Sequence, residues 1–311
     1  MSTAPESTLP WYRQIEWPTL IPYFLLHMGC LAVFWVGWSW TAVLVGFFSY
    51  AIRGMALTGF YHRYFAHKAF QTSRWFQWLW GFIGSAAAQK GPIWWAAHHR
   101  DHHTLSDQPG DLHSPVQHSF LWSHMGWFMT YDSSPVRVQR VPDLMKFPEL
   151  VFLNNNTWIP IVVWGGAMWA LGSALEAWAP GLGTNGPQMF VWGFVLSTVF
   201  LYHVTYCINS LAHVFGSRRY ETTDQSRNNF ILALFAFGEG WHNNHHHYPA
   251  SARNGFYWWE VDVTYYMIWT FEKLGLVWNV KPVPQRILDQ GRNKKGTDSN
   301  ESVEVSQHQA A

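Results

Sequence analysis

The sequence predicts an all-α integral membrane protein, with four transmembrane helices in two hairpins and a helical cap on the cytoplasmic side. Hydrophobic residues make up 49% of its 311 residues and charged residues only 13%, about half the share usual in a soluble domain. Aromatic residues reach 18%, including 22 Trp, a residue enriched at membrane–water interfaces. Lys and Arg also lie almost entirely on one side of the apolar stretches. Together these observations favour a multi-pass membrane fold.

Four stretches are apolar enough to cross a bilayer, which takes roughly 20 residues each. They are residues 19–38, 41–60, 157–178 and 189–211. Only a few residues join the first two stretches, and a link rich in Pro and Gly joins the last two. Because such links make tight turns, we expect each pair of stretches to form a hairpin.

The basic residues predict which side of the membrane the long segments face. Segments 61–156 and 212–311 carry 8 and 10 Lys or Arg, Arg13 lies in the N-terminal segment, and Arg53 alone lies inside a span. Segments rich in Lys and Arg stay in the cytoplasm. Both long segments and both termini are therefore expected to be cytoplasmic, which an even number of spans permits.

The remaining segments complete the predicted organisation. Residues 1–16 form a polar N-terminal tail without a signal-peptide pattern, residues 17–288 form one domain, and the polar residues 289–311 are predicted to be disordered. Three segments rich in Trp and Phe are too short or too interrupted to span, and we expect them to lie on the membrane surface: 74–90, 226–238 and 257–274. The net charge of +1 gives no reason to expect nucleic-acid binding.

Three clusters of histidine lie on the predicted cytoplasmic side, in the strings HRYFAH, HRDHH and HNNHHH. Their candidate metal ligands are His62, His67, His99, His102, His103, His242, His245 and His246. Residues three or four apart on a helix share a face, so the second cluster is expected to aim its imidazoles at one point, and the third cluster likewise. The spacing of five between His62 and His67 predicts a helix that ends or bends between them.

The clusters indicate a site for two metal ions, each with four or five nitrogen ligands. Structural zinc takes about four ligands, usually including Cys, and both Cys of this chain lie in apolar stretches. Imidazole nitrogen suits iron, copper or zinc, so the residues alone leave the metal open. A haem protein or a metal transporter is the non-enzymatic alternative, although the spans hold only His27 and His203 where haem ligation needs His pairs facing across spans.

The clusters and their flanks resemble the three histidine boxes of the membrane fatty-acid desaturases, most closely the bacterial members of the stearoyl-CoA-type delta-9 branch. The similar strings are TGFYHRYFAHKAFQTS (58–73), DLHSP (111–115), FLWSHMGWF (120–128), NSLAHVFGSRRY (209–220) and EGWHNNHHHYP (239–249). The resemblance covers roughly residues 20–280. It implies two non-haem irons, O₂ as co-substrate and a cis double bond introduced at delta-9 of a saturated C16–C18 acyl chain. A related hydroxylase or ketolase is the alternative, and the NSLAH and SHMGW strings favour the desaturase.

The resemblance also implies roles for individual residues. It adds His213 as a ninth metal ligand, assigns a metal-bound water to Asn209, and leaves His247 out of the ligand set. Tyr50 and Gly54 match positions near the closed end of the acyl tunnel, where a small residue at 54 is expected to leave room for a long chain. Three residues match the bend of that tunnel beside the metals: Gln89, Trp95 and Thr205.

Two departures from the family concern the acyl carrier. Animal members have an Arg-Asp pair before the second box, where this chain has Ala97 and His98, and a basic pair after SHxGW, where this chain has Tyr131 and Asp132. Those residues contact the CoA head group in the family. Acyl-CoA is the expected carrier, and the departures keep a lipid-linked chain and acyl-carrier protein open. Other basic residues available for phosphate contacts are Lys90, Arg137 and Arg140.

The resemblance further implies an electron donor. Each turnover needs two electrons from outside, and this chain contains neither a haem-binding extension nor a Cys-rich cluster. A ferredoxin, a rubredoxin or a cytochrome b5-like protein is expected to dock on the cytoplasmic face, where Arg218, Arg219 and Arg253 either attract an acidic donor or form a solvated basic surface. The likeness to bacterial members in 89–128 predicts a bacterial inner membrane, with the bilayer and a fatty-acyl substrate as the other partners.

Overall fold

The computed structural model of the chain describes residues 14–293, which are almost entirely helical. Four helices in this range are long and apolar enough to cross a membrane: Trp17–Val36, Trp40–Ala66, Trp158–Trp178 and Gly186–His213. They match the four predicted stretches and are called the first to fourth spans below. The four apolar runs of the sequence are thus confirmed as long helices.

The fourth span lies at the centre of the four. Its Gly193 carbonyl accepts a hydrogen bond from Ser49 of the second span, and His203 Nε2 lies 3.1 Å from His27 Nε2 of the first span. The third span packs so closely that a Cβ added to Gly172 would lie 2.3 Å from the carbonyl oxygen of Asn185. Close approach through glycine and hydrogen bonds between helices are typical of membrane helix packing.

The second span differs from the prediction at its end. It is α-helical over Trp40–Met55 and continues as a π-helix over Ala56–Ala66, whereas the apolar run predicted an end at residue 60. The amide of His67 donates to the carbonyl of His62 at 3.1 Å, which is the i→i+5 bond of a π-helix. The helix therefore ends at Ala66, between the two histidines as their spacing predicted, and His67 caps it through this last i→i+5 hydrogen bond.

The remaining elements form the polar part of the molecule. The second span is followed by α-helices Arg74–Ser85 and Pro92–Leu105, and the third is preceded by Pro148–Asn155. After the fourth span come Phe230–Phe235, His242–His247 and Val263–Lys273. A strand after the second span, Gln71–Thr72, pairs antiparallel with a strand near the end of the described residues, Val277–Trp278. Short helical turns complete the list: Trp122–Gly126, Trp127–Met129, Tyr131–Ser133, Val138–Arg140, Leu144–Lys146 and Pro180–Leu182.

The three segments expected on the membrane surface each contain a helix that is shorter than predicted. These helices are Arg74–Ser85, Phe230–Phe235 and Val263–Lys273. The second of them ends where Phe237 and Gly238 adopt positive φ angles of 55° and 114°, because a left-handed residue terminates an α-helix.

The predicted tails need correction where the structure describes them. Residues 285–293 are helical, so 289–293 are not disordered: Ile287 is buried and Gly291 lies against the hydroxyl groups of Tyr220 and Tyr257. Glu16, predicted to belong to the polar tail, bonds to Lys90 Nζ at 2.9 Å. Residues 1–13 and 294–311 lie outside the described residues.

Candidate metal centre

The structure brings the nine histidines together in two groups. In each group, one nitrogen of every imidazole lies within 4.8 Å of one nitrogen of all the others. The first group has five members: His62, His67, His99, His103 and His245. The second group has four: His102, His213, His242 and His246. The two groups match the predicted count of four or five nitrogens for each of two ions.

The second and third histidine clusters each contribute to both groups, which corrects the prediction that each would aim its imidazoles at one point, whereas both histidines of the first cluster belong to the first group. On the helix Pro92–Leu105, His99 and His103 belong to the first group while His102 belongs to the second. On the helix His242–His247, the third cluster divides in the same way. Successive residues of an α-helix are about 100° apart, so histidines four apart point together and the one between them points to the other group.

Four carboxylates orient histidines of this centre from behind. Each accepts a hydrogen bond from an Nδ1 atom, which leaves the Nε2 atom directed inward. The pairs are His62 with Glu239 at 2.7 Å, His102 with Asp111 at 3.0 Å, His213 with Asp107 at 2.8 Å and His246 with Asp224 at 2.5 Å. A carboxylate behind a metal-ligating histidine fixes the ring and increases its basicity.

Burial keeps most of the imidazoles of the centre neutral. It lowers the pKa of His67, His99 and His103 well below the ordinary value, and repulsion from neighbouring histidines adds to the effect. Burial likewise lowers the pKa of His246 to about 4, although Asp224 opposes this. A neutral imidazole offers the lone pair that a metal ion needs.

The carboxylates behind the histidines are held in their charged form. Burial alone would raise the pKa of Asp107, but the hydrogen bond and the charge of His213 outweigh it and the pKa falls. The pKa of Asp111 falls because His113 and His102 outweigh the burial. These carboxylates therefore bring negative charge beside the site without occupying the inward positions.

The geometry of the two groups fits a pair of metal ions. Two nitrogens on opposite sides of an ion, each about 2.1 Å from it, lie about 4.2 Å apart, which is compatible with the 4.8 Å limit within each group. Facing Nε2 atoms lie 2.8 Å apart in His67 and His99 and 2.9 Å apart in His62 and His245. His246 Nε2 is buried and has no hydrogen-bond partner among the described residues. An all-imidazole set suits iron, copper or zinc.

The charge on Asp107 predicts a measurable effect on metal affinity. Asp107→Asn keeps the size of the side chain but removes its charge beside His213. We expect the affinity for metal to fall about 10- to 100-fold, the usual effect of losing such a partner. Chelator competition on the purified protein measures it, and Asp132→Asn on the exposed surface is the matched control. Equal affinities in the two variants would contradict the role of Asp107.

Arg63 ties the first histidine cluster to the third. It is buried and donates to Glu239 Oε1 at 2.9 Å and to Asp262 at 2.9 Å, while its Nη1 atom also donates to the carbonyl of Ala252 at 2.8 Å. Glu239 in turn accepts from His62. The guanidinium therefore holds the carboxylate that orients one of the histidines.

Two cavities meet beside the histidines. The larger, of about 500 Å³, reaches them from the first and third spans. The smaller, of about 50 Å³, lies on the other side, among the second and fourth spans and the residues before the third cluster. Both are lined by Trp95, His99, Thr205 and Asn209. This common wall is where a chain passing from one cavity to the other would lie closest to the metal centre.

The residues expected at the bend lie at this junction. Gln89 Nε2 donates to Thr205 Oγ1 at 3.2 Å, and the indole of Trp95 stacks on the ring of His99 with centroids 5.0 Å apart. Asn209 lines both cavities, a position compatible with the water-binding role that the resemblance implies for it.

The residues expected at the closed end need revision. Gly54 lines the smaller cavity, but the space over it is occupied: a Cβ added there would lie 2.4 Å from Cε2 of Phe237. Tyr50 is not among the described residues that line either cavity. Its ring packs behind Phe237 with centroids 5.2 Å apart, and its hydroxyl donates to the carbonyl of Phe235. Glycine at 54 therefore admits a ring instead of leaving open room.

The basic residues suggested for phosphate contacts already have partners. Lys90 Nζ bonds to Glu16, Arg137 Nη1 bonds to Asp101 at 2.7 Å, and Arg140 Nε bonds to the same carboxylate. Each of the three cations thus already has a carboxylate partner, although Arg137 and Arg140 share one, which reduces what they offer to a head group.

The arginines suggested for donor docking are also engaged. Arg219 pairs with Glu260 at 2.7 Å, and Arg253 donates to the carbonyl of Tyr257 at 2.7 Å. Arg218 donates to backbone carbonyls of the loop that follows it. Each arginine stabilises a loop after the fourth span instead of standing free in solvent.

Sequence reasoning missed the carboxylates and Arg63. Glu239 and Asp111 belong to strings that resemble the family, EGWHNNHHHYP and DLHSP, but their acidic residues carry no spacing signal of their own. Asp224 and Asp107 lie far from the histidines they support along the chain. Only the fold reveals these pairs, because each joins residues from separate elements.

Comparisons with known proteins agree with this site. The fatty acid desaturase family model matches residues 35–282. An sn-1 stearoyl-lipid 9-desaturase of Anabaena variabilis is 38% identical over 90% of this chain and 97% of its own length. The delta-9 acyl-lipid desaturase 2 of Arabidopsis thaliana is 35% identical over 87% of this chain and 84% of its own length. An icosanoyl-CoA 5-desaturase of Limnanthes douglasii is 34% identical over 84% of this chain and 71% of its own length.

The family-model match covers the second, third and fourth apolar helices and all three histidine clusters, and the resemblance drawn from the histidine boxes is confirmed. With two histidine groups able to hold metal ions beside a pair of cavities, this multi-pass membrane protein belongs to the fatty acid desaturase family.

Proposed function

We propose that this protein is an O₂-dependent desaturase that introduces a cis double bond at delta-9 of a C16–C18 acyl chain while the chain is attached to a membrane lipid. The observation that carries the proposal is the junction of the two cavities beside the nine histidines. A chain threaded through both cavities has its middle at the metal centre and its two ends away from it. Removal of hydrogen from an internal pair of methylenes needs this arrangement.

The metals in this proposal are two non-haem irons, one in each histidine group. Bound iron supplies the O₂-dependent oxidation that no amino-acid side chain can perform. The protein positions the substrate: Trp95, Gln89 and Thr205 shape the junction, which determines the methylenes that face the histidines. Apolar walls exclude water from them. The names of the delta-9 relatives support desaturation over hydroxylation or ketolation.

The opening of the larger cavity supports a lipid-linked substrate. Its wall includes Pro22 and Leu26 of the first span and Ile161 and Val162 of the third. Val162 is 61% exposed, on a helix apolar enough to lie in the bilayer. A lipid can therefore enter from the membrane between these two spans. Of the three relatives described above, two are named for lipid-linked chains and one for acyl-CoA. Acyl-CoA, the carrier expected from the sequence, is therefore the competing case.

The position corresponding to a CoA contact in the family also favours the lipid carrier. His98 is buried and its ring stacks on Trp94 with centroids 4.2 Å apart. Burial lowers the pKa of His98 to about 4. A neutral, buried imidazole offers no positive charge to the phosphates of CoA.

Electrons in this proposal come from a separate small protein, such as a ferredoxin, a rubredoxin or a cytochrome b5-like protein. The proposed membrane is a bacterial inner membrane, with both termini and the histidines on the cytoplasmic side. The asymmetric distribution of Lys and Arg supports this orientation, and it places the metal centre where a cytoplasmic donor has access.

The decisive experiment compares carriers directly. Purified protein in lipid vesicles receives iron, a ferredoxin with its reductase, and either stearoyl-glycerolipid or stearoyl-CoA. We expect a delta-9 monounsaturated product from the lipid, located by mass spectrometry of derivatised chains. Desaturation of stearoyl-CoA alone would overturn the lipid carrier. Hydroxylated products, or unchanged chains in the presence of bound iron and a reduced donor, would overturn the desaturase itself.

A further inference from the structure

Three ring side chains separate the larger cavity from a further, much smaller one, which we call the polar cavity. His98, His113 and Trp127 line both cavities. The polar cavity has a volume of about 10 Å³, against about 500 Å³ for the larger cavity. Its lining also includes Gly110, which is exposed at the surface. The three rings therefore form a wall between the larger cavity and a small space that lies near solvent.

Each ring of this wall carries a buried nitrogen that has no hydrogen-bond partner among the described residues. The atoms are Nδ1 and Nε2 of His98, Nδ1 of His113 and Nε1 of Trp127. His113 Nδ1 lies 3.4 Å from Asp111 Oδ1 but forms no hydrogen bond to it. Burying a polar group without a partner is costly, and protein or ordered water normally satisfies such groups. Four such nitrogens on one wall therefore point to a bound ligand.

The chemistry of these atoms and the size of the polar cavity identify water as the ligand. A neutral imidazole has one nitrogen that donates a hydrogen bond and one that accepts, so neither a metal ion nor a simple anion pairs with both nitrogens of His98. The indole N–H of Trp127 needs an acceptor. A cavity of about 10–15 Å³ holds one water molecule when two to four polar groups surround it. The polar cavity meets both conditions.

The wall lies beside the second group of histidines. The ring of His113 has its centroid 4.3 Å from that of His102, which also lines the polar cavity. Stacking fixes the other two rings, because His98 and Trp127 both stack on Trp94, with centroids 4.2 and 5.8 Å apart. A water molecule bound at this wall is therefore held between the metal centre and the surface.

The far side of the polar cavity is charged and reaches toward solvent. Asp101 and Arg137 line it and pair with each other at 2.7 Å. The side chain of Arg137 is 39% exposed. The larger cavity, in contrast, opens between apolar side chains such as Leu26 and Ile161. A polar path to the surface thus leaves the site separately from the apolar path of the substrate.

We propose that the polar cavity binds water and is the route by which water formed at the metal centre leaves the enzyme. The inference rests on the proposed function. Desaturation combines O₂, the two hydrogens removed from the chain, two protons and two electrons from the donor into two water molecules. The acyl chain fills the larger and smaller cavities when these waters form, so they need another way out. The nitrogens of the wall offer hydrogen bonds that water uses and an acyl chain does not.

The kinetic test replaces His98 with phenylalanine, which keeps the stack on Trp94 but removes both nitrogens from the wall. Wild type and variant, purified into lipid vesicles with iron, reduced ferredoxin and stearoyl-glycerolipid, are sampled by rapid quenching and mass spectrometry. We expect the first turnover of His98→Phe to keep the wild-type rate. Later turnovers should be about tenfold slower, the effect of losing about one hydrogen bond to the leaving water.

His118→Phe is the matched control, because it makes the same change at an exposed histidine of the same loop as His113. We expect it to leave both rates unchanged. Trp127→Phe removes a single nitrogen from the wall and serves if His98→Phe does not accumulate. Unchanged later turnovers in the wall variants overturn the inference, as does equal slowing of the first and later turnovers, which marks a purely structural role.

A second measurement does not depend on turnover. An experimental map that shows ordered waters should contain one within hydrogen-bond distance of His98 and of His113 or Trp127 in the wild type, and none in His98→Phe. A wild-type map with no water at the wall overturns the inference. A wild-type protein that forms no monounsaturated chains with bound iron and a reduced donor overturns the proposed function instead.

Discussion

Replacing His102 with alanine is expected to abolish desaturation and to lower the metal content by one ion per chain. His102 belongs to the group of four histidines, and Asp111 holds its ring from behind. Its loss leaves three imidazoles to hold an ion in a buried site, together with a buried carboxylate that has lost this partner. The measurement is iron per chain by elemental analysis, alongside the fraction of monounsaturated chains formed.

His247→Ala is the matched control for this prediction. His247 follows His246 directly in the chain but belongs to neither group. It stacks on Tyr220 with centroids 4.3 Å apart and contacts Gln290 at 3.2 Å. We expect this variant to keep its metal and its activity. Full activity in His102→Ala, or equal metal loss in both variants, would remove His102 from the centre.

Arg63→Met is expected to produce the largest loss of stability. Methionine keeps the apolar stem but leaves Glu239 and Asp262 buried without their cation. Removing one partner of a buried ion pair costs about 3–5 kcal/mol. We therefore expect a large fall in the free energy of unfolding and in the melting temperature of the purified protein. We also expect the ring of His62 to lose its fixed orientation, because Glu239, which holds that ring, loses its own ion pair with Arg63.

A second arginine provides the comparison. Arg74 also binds a carboxylate through two nitrogens, with contacts of 3.0 and 2.6 Å to Glu149, but on the exposed surface. Since surface ion pairs contribute little, Arg74→Met should change the melting temperature only slightly. Similar falls in melting temperature in Arg63→Met and Arg74→Met would show that burial is not what makes the ion pairs of Arg63 important for stability.

The general architecture was predictable because its signals are local. Apolar runs of sufficient length and the one-sided distribution of Lys and Arg predicted the four long helices. The ends of the helices were less predictable. The second span continues to Ala66, beyond its own apolar run, because His62 and Arg63 are buried in protein and not in lipid. Hydropathy cannot report that difference.

The metal centre was predictable in membership but not in arrangement. Histidine spacing and family resemblance identified the nine imidazoles, yet which group receives each one depends on helix rotation, as His102 and His103 demonstrate. The supporting carboxylates were missed because His213 and Asp107 meet only after folding. Phe237 was missed for a similar reason: its contact with Gly54 joins segments far apart in the sequence.

The π-helical backbone of the second span determines which way the two ends of the first histidine cluster face. If residues 56–66 returned to i→i+4 hydrogen bonding, the span would remain long and apolar enough to cross a bilayer. Residues five apart in an α-helix, however, point about 140° apart around its axis. His62 and His67 could then no longer serve the same group of nitrogens. A change of backbone hydrogen bonding that alters no side chain would therefore be enough to take one ligand away from a metal ion.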